Sequence, residues 1–328
     1  MTTHLAIARA HSNIALIKYW GKSDAALNLP AVPSLSLTLD GLTTTTRVHF
    51  APELAADHVE LDGAVVGGRE HARVVALLDR VRKQNGLELR ASVVSRNDFP
   101  TAAGLASSAS GFAALALAAS SAAGLALSLE AVSGLARQSS ASAARSLFGG
   151  FASLPAASEH AHQVAPEGHW DLRLLVAVTE EGRKPLGSTE AMEVTKRESP
   201  YYSAWVAHAP GLYREAEQAI REKQFDALGT CMEQSTMMMH ASMWATRPAI
   251  VFFTDATLAV VHRVRALRNQ GLPCYFTIDA GPHVKVLAEA EHAPALQKEL
   301  AAMSQVKRVI PCRAGPGARL VSDEGAAC

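Results

Sequence analysis

The sequence predicts an α+β fold built as two domains, and three observations carry that reading. Strand-like and helix-like stretches are mixed without the strict βαβ rhythm of a doubly wound sheet. At 328 residues the chain is long for a single core. An apolar strand, Trp170 to Thr179, gives way to a polar and charged tract at Glu180 to Lys184, which divides residues 1–182 from 183–328.

Residues 4–10 and 13–19 run apolar or alternate, as strands do; Leu35 to Leu39, Thr43 to Phe50 and His58 to Leu61 are rich in Thr and Val between turn residues. Glu70 to Lys83 places Val74, Val75, Leu77, Leu78 and Val81 at helical spacing, with Asn85-Gly86 as its C-cap. A strand over 87–96 leads into a Gly/Ser loop, then an Ala-rich helix, Phe112 to Leu127, and a second helix, Leu129 to Gln138. Beyond the boundary the pattern predicts helices near 201–222, 225–242 and 256–269, and a strand from Cys274 to Asp279. A helix over 283–303 and strands near 306–311 and 318–321 complete the expected order.

Lys and Arg total 31 and so do Asp and Glu, so no net field draws nucleic acid or a membrane. Aromatics are 5% of residues, with no basic run among them, which argues further against nucleic acid. Ala102 to Leu127 is long enough to span a bilayer, but five serines interrupt it and no basic flank follows. Cys231, Cys274, Cys312 and Cys328 are scattered, as free thiols in a reducing, cytoplasmic setting would be, and no secretion signal is read at the N-terminus. The histidines make no HExxH; His160 and His162 fall in a polar stretch expected to be a loop, and no side-chain metal set is assigned.

Five stretches carry residue types suited to chemistry. The loop Phe99 to Gly111 (FPTAAGLASSASG) opens a helix, where unpaired first-turn amides and the helix dipole suit a phosphate; no Gly-Lys-Ser/Thr closes it, so the cation must come from elsewhere. A Ser cap on a core helix is the plainer alternative. Lys18 in Asn13 to Lys22 (NIALIKYWGK) is costly to bury alone, so it either reaches a surface or meets an anion. Arg145 lies among Ser139, Ser140 and Ser142, a set suited to a carboxylate or phosphate, or else to a tight helix contact with an edge arginine. Lys184 to Thr189 reads as a turn and helix start. Asp279, ending an apolar strand before Ala280-Gly281-Pro282, is either a tuned general base or a turn aspartate.

Taken together and in this order, these stretches resemble the diphosphomevalonate decarboxylases of the GHMP kinase superfamily. The resemblance covers nearly the whole chain and includes Arg145 to Phe151, Gly187-Ser188-Thr189, Met239-His240-Ala241 and Asp279 to Pro282. It implies an N-terminal domain like the second domain of ribosomal protein S5, a ferredoxin-like C-terminal domain, a site in the cleft between them, and a homodimer. It also implies ATP with Mg²⁺, and conversion of (R)-5-diphosphomevalonate to isopentenyl diphosphate with ADP, phosphate and carbon dioxide. Asp279, Lys18 and Arg145 take the catalytic positions; Asn13, Tyr19, Lys22, Ser140, Ser142, Ser188 and Thr189 those of substrate binding. Ala103, Gly104, Leu105, Ala106, Ser107 and Ser108 take the ATP phosphates, with Mg²⁺ held mainly through ATP and Ser107 or Ser108 as its only side-chain candidates.

Three departures stand out. The family's usual Gly-Ser-Gly-Ser is Ser139-Ser140-Ala141-Ser142, its frequent Gly-Pro-Asn is Gly281-Pro282-His283, and Ser235 to Met239 is unusually rich in Met. These bear on the phosphorylation state of the substrate. The alternatives are a decarboxylase or kinase acting on 5-phosphomevalonate or mevalonate, and a catalytically inactive nucleotide-binding protein, against which the presence of Asp279, Lys18 and Arg145 argues.

Overall fold

The computed structural model describes residues 4–99, 106–180 and 186–322. In the first half come β1 (Leu5–Ile17), β2 (Lys22–Asp24), β3 (Leu29–Pro30), β4 (Ser34–Ala51), β5 (His58–Leu61), β6 (Ala64–Val65), α1 (Gly68–Asn85), β7 (Arg90–Asn97), α2 (Ser107–Ala122) and α3 (Leu129–Ser139). A 3-10 helix (Ala141–Leu147) precedes β8 (Phe151–Leu154), β9 (His162–Ala165) and β10 (Leu172–Val178). The second half holds α4 (Ser188–Glu198), α5 (Tyr202–Glu222), α6 (Phe225–Trp244), α7 (Asp255–Asn269), β11 (Tyr275–Ile278), β12 (Val284–Glu289), α8 (Ala293–Ala301), β13 (Arg308–Arg313) and β14 (Arg319–Val321).

Two main sheets organise these elements, as expected of an α+β chain. The first runs β14-β1-β4-β7-β5-β6, with β8 added to β4 and β9 to β8; the second runs β11-β12-β10-β13. Because β10 pairs with β12 and β13, sheet membership changes between Ala165 and Leu172, ahead of the division expected at 182/183. The chain then crosses back, since β14 pairs with β1.

Several expected breaks are bends instead. The strands expected at 4–10 and 13–19 are one strand whose register shifts between His11 and Asn13. Those expected at 35–39 and 43–50 are likewise joined as β4, where Gly41 at φ 86° supplies a bend in place of a turn. The Ala-rich helix begins at Ser107, five residues early, and ends before Gly124. His162 lies in strand β9, not in a loop.

The helix expected over 283–303 is the main correction. Val284 to Ala288 form a central strand, and only residues from Ala293 are helical. A strand covered on both faces is apolar throughout, so its pattern loses the alternation that marks a strand.

Alanines of α2 pack against Ala8, Ala10, Val48 and Phe50 of the first sheet, while α7 and α8 cover one face of the second. Between the sheets, α5 and α6 bury Leu212, Ile220, Leu228 and Met232 against Ile14, Leu16, Leu37, Leu174 and Tyr275. Among the described residues no helix is long and apolar enough to cross a membrane, and Cys231, Cys274 and Cys312 are free, buried thiols.

Gly229 marks the closest approach of α6 to the second sheet. A Cβ there would lie 2.1 Å from two ring carbons of Tyr275, which is buried and tied by its hydroxyl to Asp226 at 2.9 Å. Alanine gains about 1 kcal/mol of helix propensity over glycine, but overpacking costs about 1–3 kcal/mol and the ring cannot swing aside freely. Gly229→Ala is therefore expected to lower the urea midpoint; an unchanged or higher midpoint would show that the α6–β11 contact is loose.

Candidate active site

The site forms where the end of β1 meets the ends of β11 and β12. From Ile14 to Ile17 β1 is apolar and buried, and Lys18 follows at once, with only 1% of its surface exposed. Its backbone N–H donates to Ser235 Oγ of α6 at 2.9 Å, and Thr277 Oγ1 of β11 donates to the Ala15 carbonyl at 3.2 Å. These bonds tie β1 to the second sheet and aim the Lys18 side chain inward.

Asp279 receives it. Lys18 Nζ lies 2.6 Å from Asp279 Oδ1 and also donates to the Ala15 carbonyl at 3.1 Å. Lys285 Nζ of β12 lies 3.0 Å from Asp279 Oδ2. The lysine side chains are 2% and 1% exposed, whereas that of Asp279 is 31% exposed, so the carboxylate is the member open to the cleft. Of the two readings left open for Lys18, the anion is the one the structure adopts.

Burial sets the proton affinities and charge modifies them. Desolvation pulls the Lys18 pKa down to about 8, against the opposing field of Asp279. Burial would raise the Asp279 pKa, but the two ammonium groups outweigh it and hold the carboxyl well below its usual range. Arg145, buried in the 3-10 helix, is pulled down by desolvation to about 10 and stays charged at neutral pH.

Arg145 is held by neutral groups. Nη1 donates to Ser34 Oγ at 2.6 Å and Nε to Asn13 Oδ1 at 3.3 Å. Asn13 Nδ2 in turn donates to the Ser142 carbonyl at 2.9 Å and to Ser146 Oγ at 2.7 Å, so both ends of the Asn13 amide are engaged in positioning the arginine. Among the described residues no carboxylate forms an ion pair with Arg145. A buried guanidinium without a counter-ion is costly and leaves donor capacity for an anion.

A cleft of about 900 Å³ opens onto these groups. Its walls carry Asn13, Lys18, Tyr19, Lys22, Ser107, Ser108, Ser140, Ser142, Arg145, Ser188, Thr189 and Asp279, all of them expected from sequence, and Ala106 as well. Ala103, Gly104 and Leu105 lie outside the described residues. Ala106 precedes α2 in the left-handed region (φ 59°), a conformation costing alanine about 1–2 kcal/mol. Among the described residues no side chain caps the helix, and the amides ahead of Ala109, whose N–H donates to the Ala106 carbonyl, suit a phosphate. Among the described residues the buried Tyr19 hydroxyl has no hydrogen-bond partner.

Several residues in or behind the cleft wall are not singled out as site residues by the sequence. Lys285 carried the same signal as Lys18, a cation within an apolar run, but the run was assigned to a helix. Arg69, Arg73 and Arg80 of α1 line the cleft; Arg73 donates to the Ser139 carbonyl at 2.8 Å and Arg80 to Ser139 Oγ at 3.2 Å. His283, at the family's frequent Asn position, accepts from the Thr179 N–H at 3.3 Å and so pins β12 to the end of β10. His240, next to Met239, faces the Ile278 carbonyl at 3.2 Å, and burial pushes its pKa down to about 3.

Comparison with known proteins identifies the family to which this fold and sequence belong. The model of the diphosphomevalonate decarboxylase-like N-terminal domain matches residues 10–165, and that of the mevalonate 5-diphosphate decarboxylase C-terminal domain matches residues 174–319. Diphosphomevalonate decarboxylase of Ganoderma lucidum is 36% identical over 322 residues, covering 89% of this chain and 80% of its own. The enzyme from Staphylococcus aureus superposes with a TM-score of 0.92 at 37% identity, covering 97% of this chain and 98% of its own. That from Enterococcus faecalis, in a structure concerned with ATP binding mediated by mevalonate diphosphate, gives 0.90 at 39% identity over 97% and 99%. A chain designated MDDEF, solved with MVAPP, AMPPCP and magnesium, gives 0.91 at 39% identity, again over 97% and 99%. With both halves matched by its models, the chain belongs to the mevalonate diphosphate decarboxylase family.

Proposed function

We propose that this chain catalyses the ATP-dependent decarboxylation of (R)-5-diphosphomevalonate, giving isopentenyl diphosphate, ADP, phosphate and carbon dioxide. The observation that carries the reading is a surplus of buried positive charge around a single carboxylate. Among the described residues Lys18, Lys285 and Arg145 share Asp279 as their neighbouring carboxylate, and an anionic ligand balances the excess, as one with a carboxylate and phosphates does.

The chemistry follows from the tertiary alcohol. Hydroxide is a poor leaving group and phosphate a good one, so the C3 hydroxyl is first phosphorylated. As the new O–P bond forms, the bond from the γ-phosphorus to ADP breaks and the hydroxyl proton passes to the transferred phosphoryl group, while Asp279 accepts a hydrogen bond from that hydroxyl and aims its oxygen for in-line attack. Held far below its usual range, it is a weak base, but a loose phosphoryl-transfer transition state asks chiefly for orientation and charge neutralisation. Lys18 offsets charge on the same oxygen. When the C3–O bond breaks, its electron pair leaves with phosphate; the bond to the carboxylate carbon then supplies the pair for the new double bond, and carbon dioxide departs. Arg145 holds that carboxylate until then.

The remaining wall suits the diphosphate. Lys22, whose pKa burial lowers against the opposing field of Glu193, with smaller pushes from Arg73 and Arg69, stands among cations that a polyanion relieves. Tyr19, Ser140, Ser142, Ser188 and Thr189 supply hydroxyls beside it. This favours the diphosphate over 5-phosphomevalonate or mevalonate. The head of α2, with Ser107 and Ser108, holds the ATP phosphates, and bound Mg²⁺ supplies the charge neutralisation those phosphates need. We further infer the homodimer and cytoplasmic setting of the family, and two domains that meet at the cleft.

Asp279→Asn is expected to lower kcat by about 10²–10⁴-fold while ATP binding, measured by calorimetry, changes less than about threefold. Retained turnover removes Asp279 from the mechanism. Arg145→Ala is expected to lower carbon dioxide release by about 10²-fold or more with ATP binding retained; wild-type release would place the substrate carboxylate elsewhere. Product analysis with Mg²⁺-ATP and mevalonate, 5-phosphomevalonate or 5-diphosphomevalonate decides the substrate. Isopentenyl diphosphate and carbon dioxide are expected from the last alone; turnover only of a less phosphorylated substrate would overturn that assignment.

A further inference from the structure

We propose that Lys285 is a positioning residue for the reaction, its ammonium gripping Asp279 Oδ2 so that the carboxylate presents its remaining lone pairs to the cleft. The inference deepens the functional reading above and rests on it. Lys285 stands in the middle of the second sheet, opposite Thr277 of β11 and Val176 of β10, between the buried Val284 and Val286. Burying a lysine there carries a desolvation penalty, and an apolar side chain of similar length would pack without that cost. The ammonium has the Asp279 carboxylate at 3.0 Å and the His283 carbonyl at 3.4 Å as its partners. With Lys18 on Oδ1, both oxygens are fixed and the carboxylate cannot rotate about its bond.

The charged and titratable groups around Lys285 come from each neighbouring element. Lys18 follows β1, Arg145 comes from the 3-10 helix, His240 from α6, Asp279 from the end of β11 and His283 from the start of β12 itself. Across the sheet, the arginines of α7 are engaged elsewhere. Arg263 pairs with Glu299 and Arg268 with Glu233, while Arg265 lies over the Phe276 ring. Lys285 thus acts on the centre in two ways with one sign: its charge repels a proton on Lys18, and it shares the carboxylate that would otherwise serve Lys18 alone. Removing it raises the Lys18 pKa on both counts.

The test uses Lys285→Gln, which keeps a donor and loses the charge, Lys285→Met and Lys285→Arg. Lys18 is titrated in the free enzyme by NMR with lysine labelled at ¹³Cε, its signal assigned by its loss in Lys18→Met. In wild type a midpoint of about 8 is expected from the burial of Lys18; in the Gln and Met variants the midpoint is expected to rise by about half to one pH unit, with Arg close to wild type. The alkaline limb of kcat should move in parallel, with kcat lower by about tenfold and the KM of both substrates within about threefold. A Lys18 midpoint unmoved in whichever of the Gln and Met variants folds would overturn the proposal, as would an alkaline limb that stays in place while kcat falls equally at all pH, the mark of a merely structural lysine. Absence of carbon dioxide from 5-diphosphomevalonate with the wild type would instead sink the functional reading, and the NMR midpoint would still decide what Lys285 does to the centre.

Discussion

The meeting of Lys18 and Lys285 on the Asp279 carboxylate is the constraint that the rest of the structure serves. One lysine follows the central part of the first sheet; the other lysine and the carboxylate belong to the second. Three charges in a nearly dry place are not there for stability, because well-packed apolar groups would do as well or better. Their geometry needs both sheets held in register, and the bonds from Lys18 N–H to Ser235, from Thr277 to Ala15 and between Thr236 and Thr277 hold it. The apolar packing of α5 and α6 between the sheets supplies the bulk of that attachment.

Arg145 obeys a complementary logic. A guanidinium paired to a protein carboxylate would have no capacity left for substrate, so the protein surrounds it with a serine hydroxyl and an asparagine carbonyl. These satisfy part of its hydrogen bonding without cancelling its charge. The price is a destabilised apo state that an anion relieves, which is how a site stores affinity for the group it is to act on.

Much of this was legible in the sequence wherever a residue stood at odds with its neighbours. Lys18 after an apolar strand, Asp279 at the end of another and Arg145 among serines all carried that signal. Lys285 carried it as well, yet an apolar run with no alternation fits a helix as readily as a strand covered on both faces. Nothing in the sequence singles out the arginines of α1, because only the packing of α1 against Ser139 decides which of them face the cleft. Asn13 showed the converse: the residue was found, but its amide is taken up in holding Arg145 and Ser146. The bends in β1 and β4 were hidden because bend and turn use the same residues, and pairing over long distances chooses between them.

The return of β14 to the edge of β1 has a consequence for biosynthesis. Residues Ile7, Ala8 and Arg9 receive their partners from Val321, Leu320 and Arg319, more than three hundred positions later. At about 5–20 residues per second, a ribosome takes about 15–60 s to deliver the missing strand after making the first. During that interval the nascent first sheet presents an open edge, the kind of surface that recruits foreign strands. A chaperone that covers that edge has a defined window in which to act, and it ends when β14 emerges and docks.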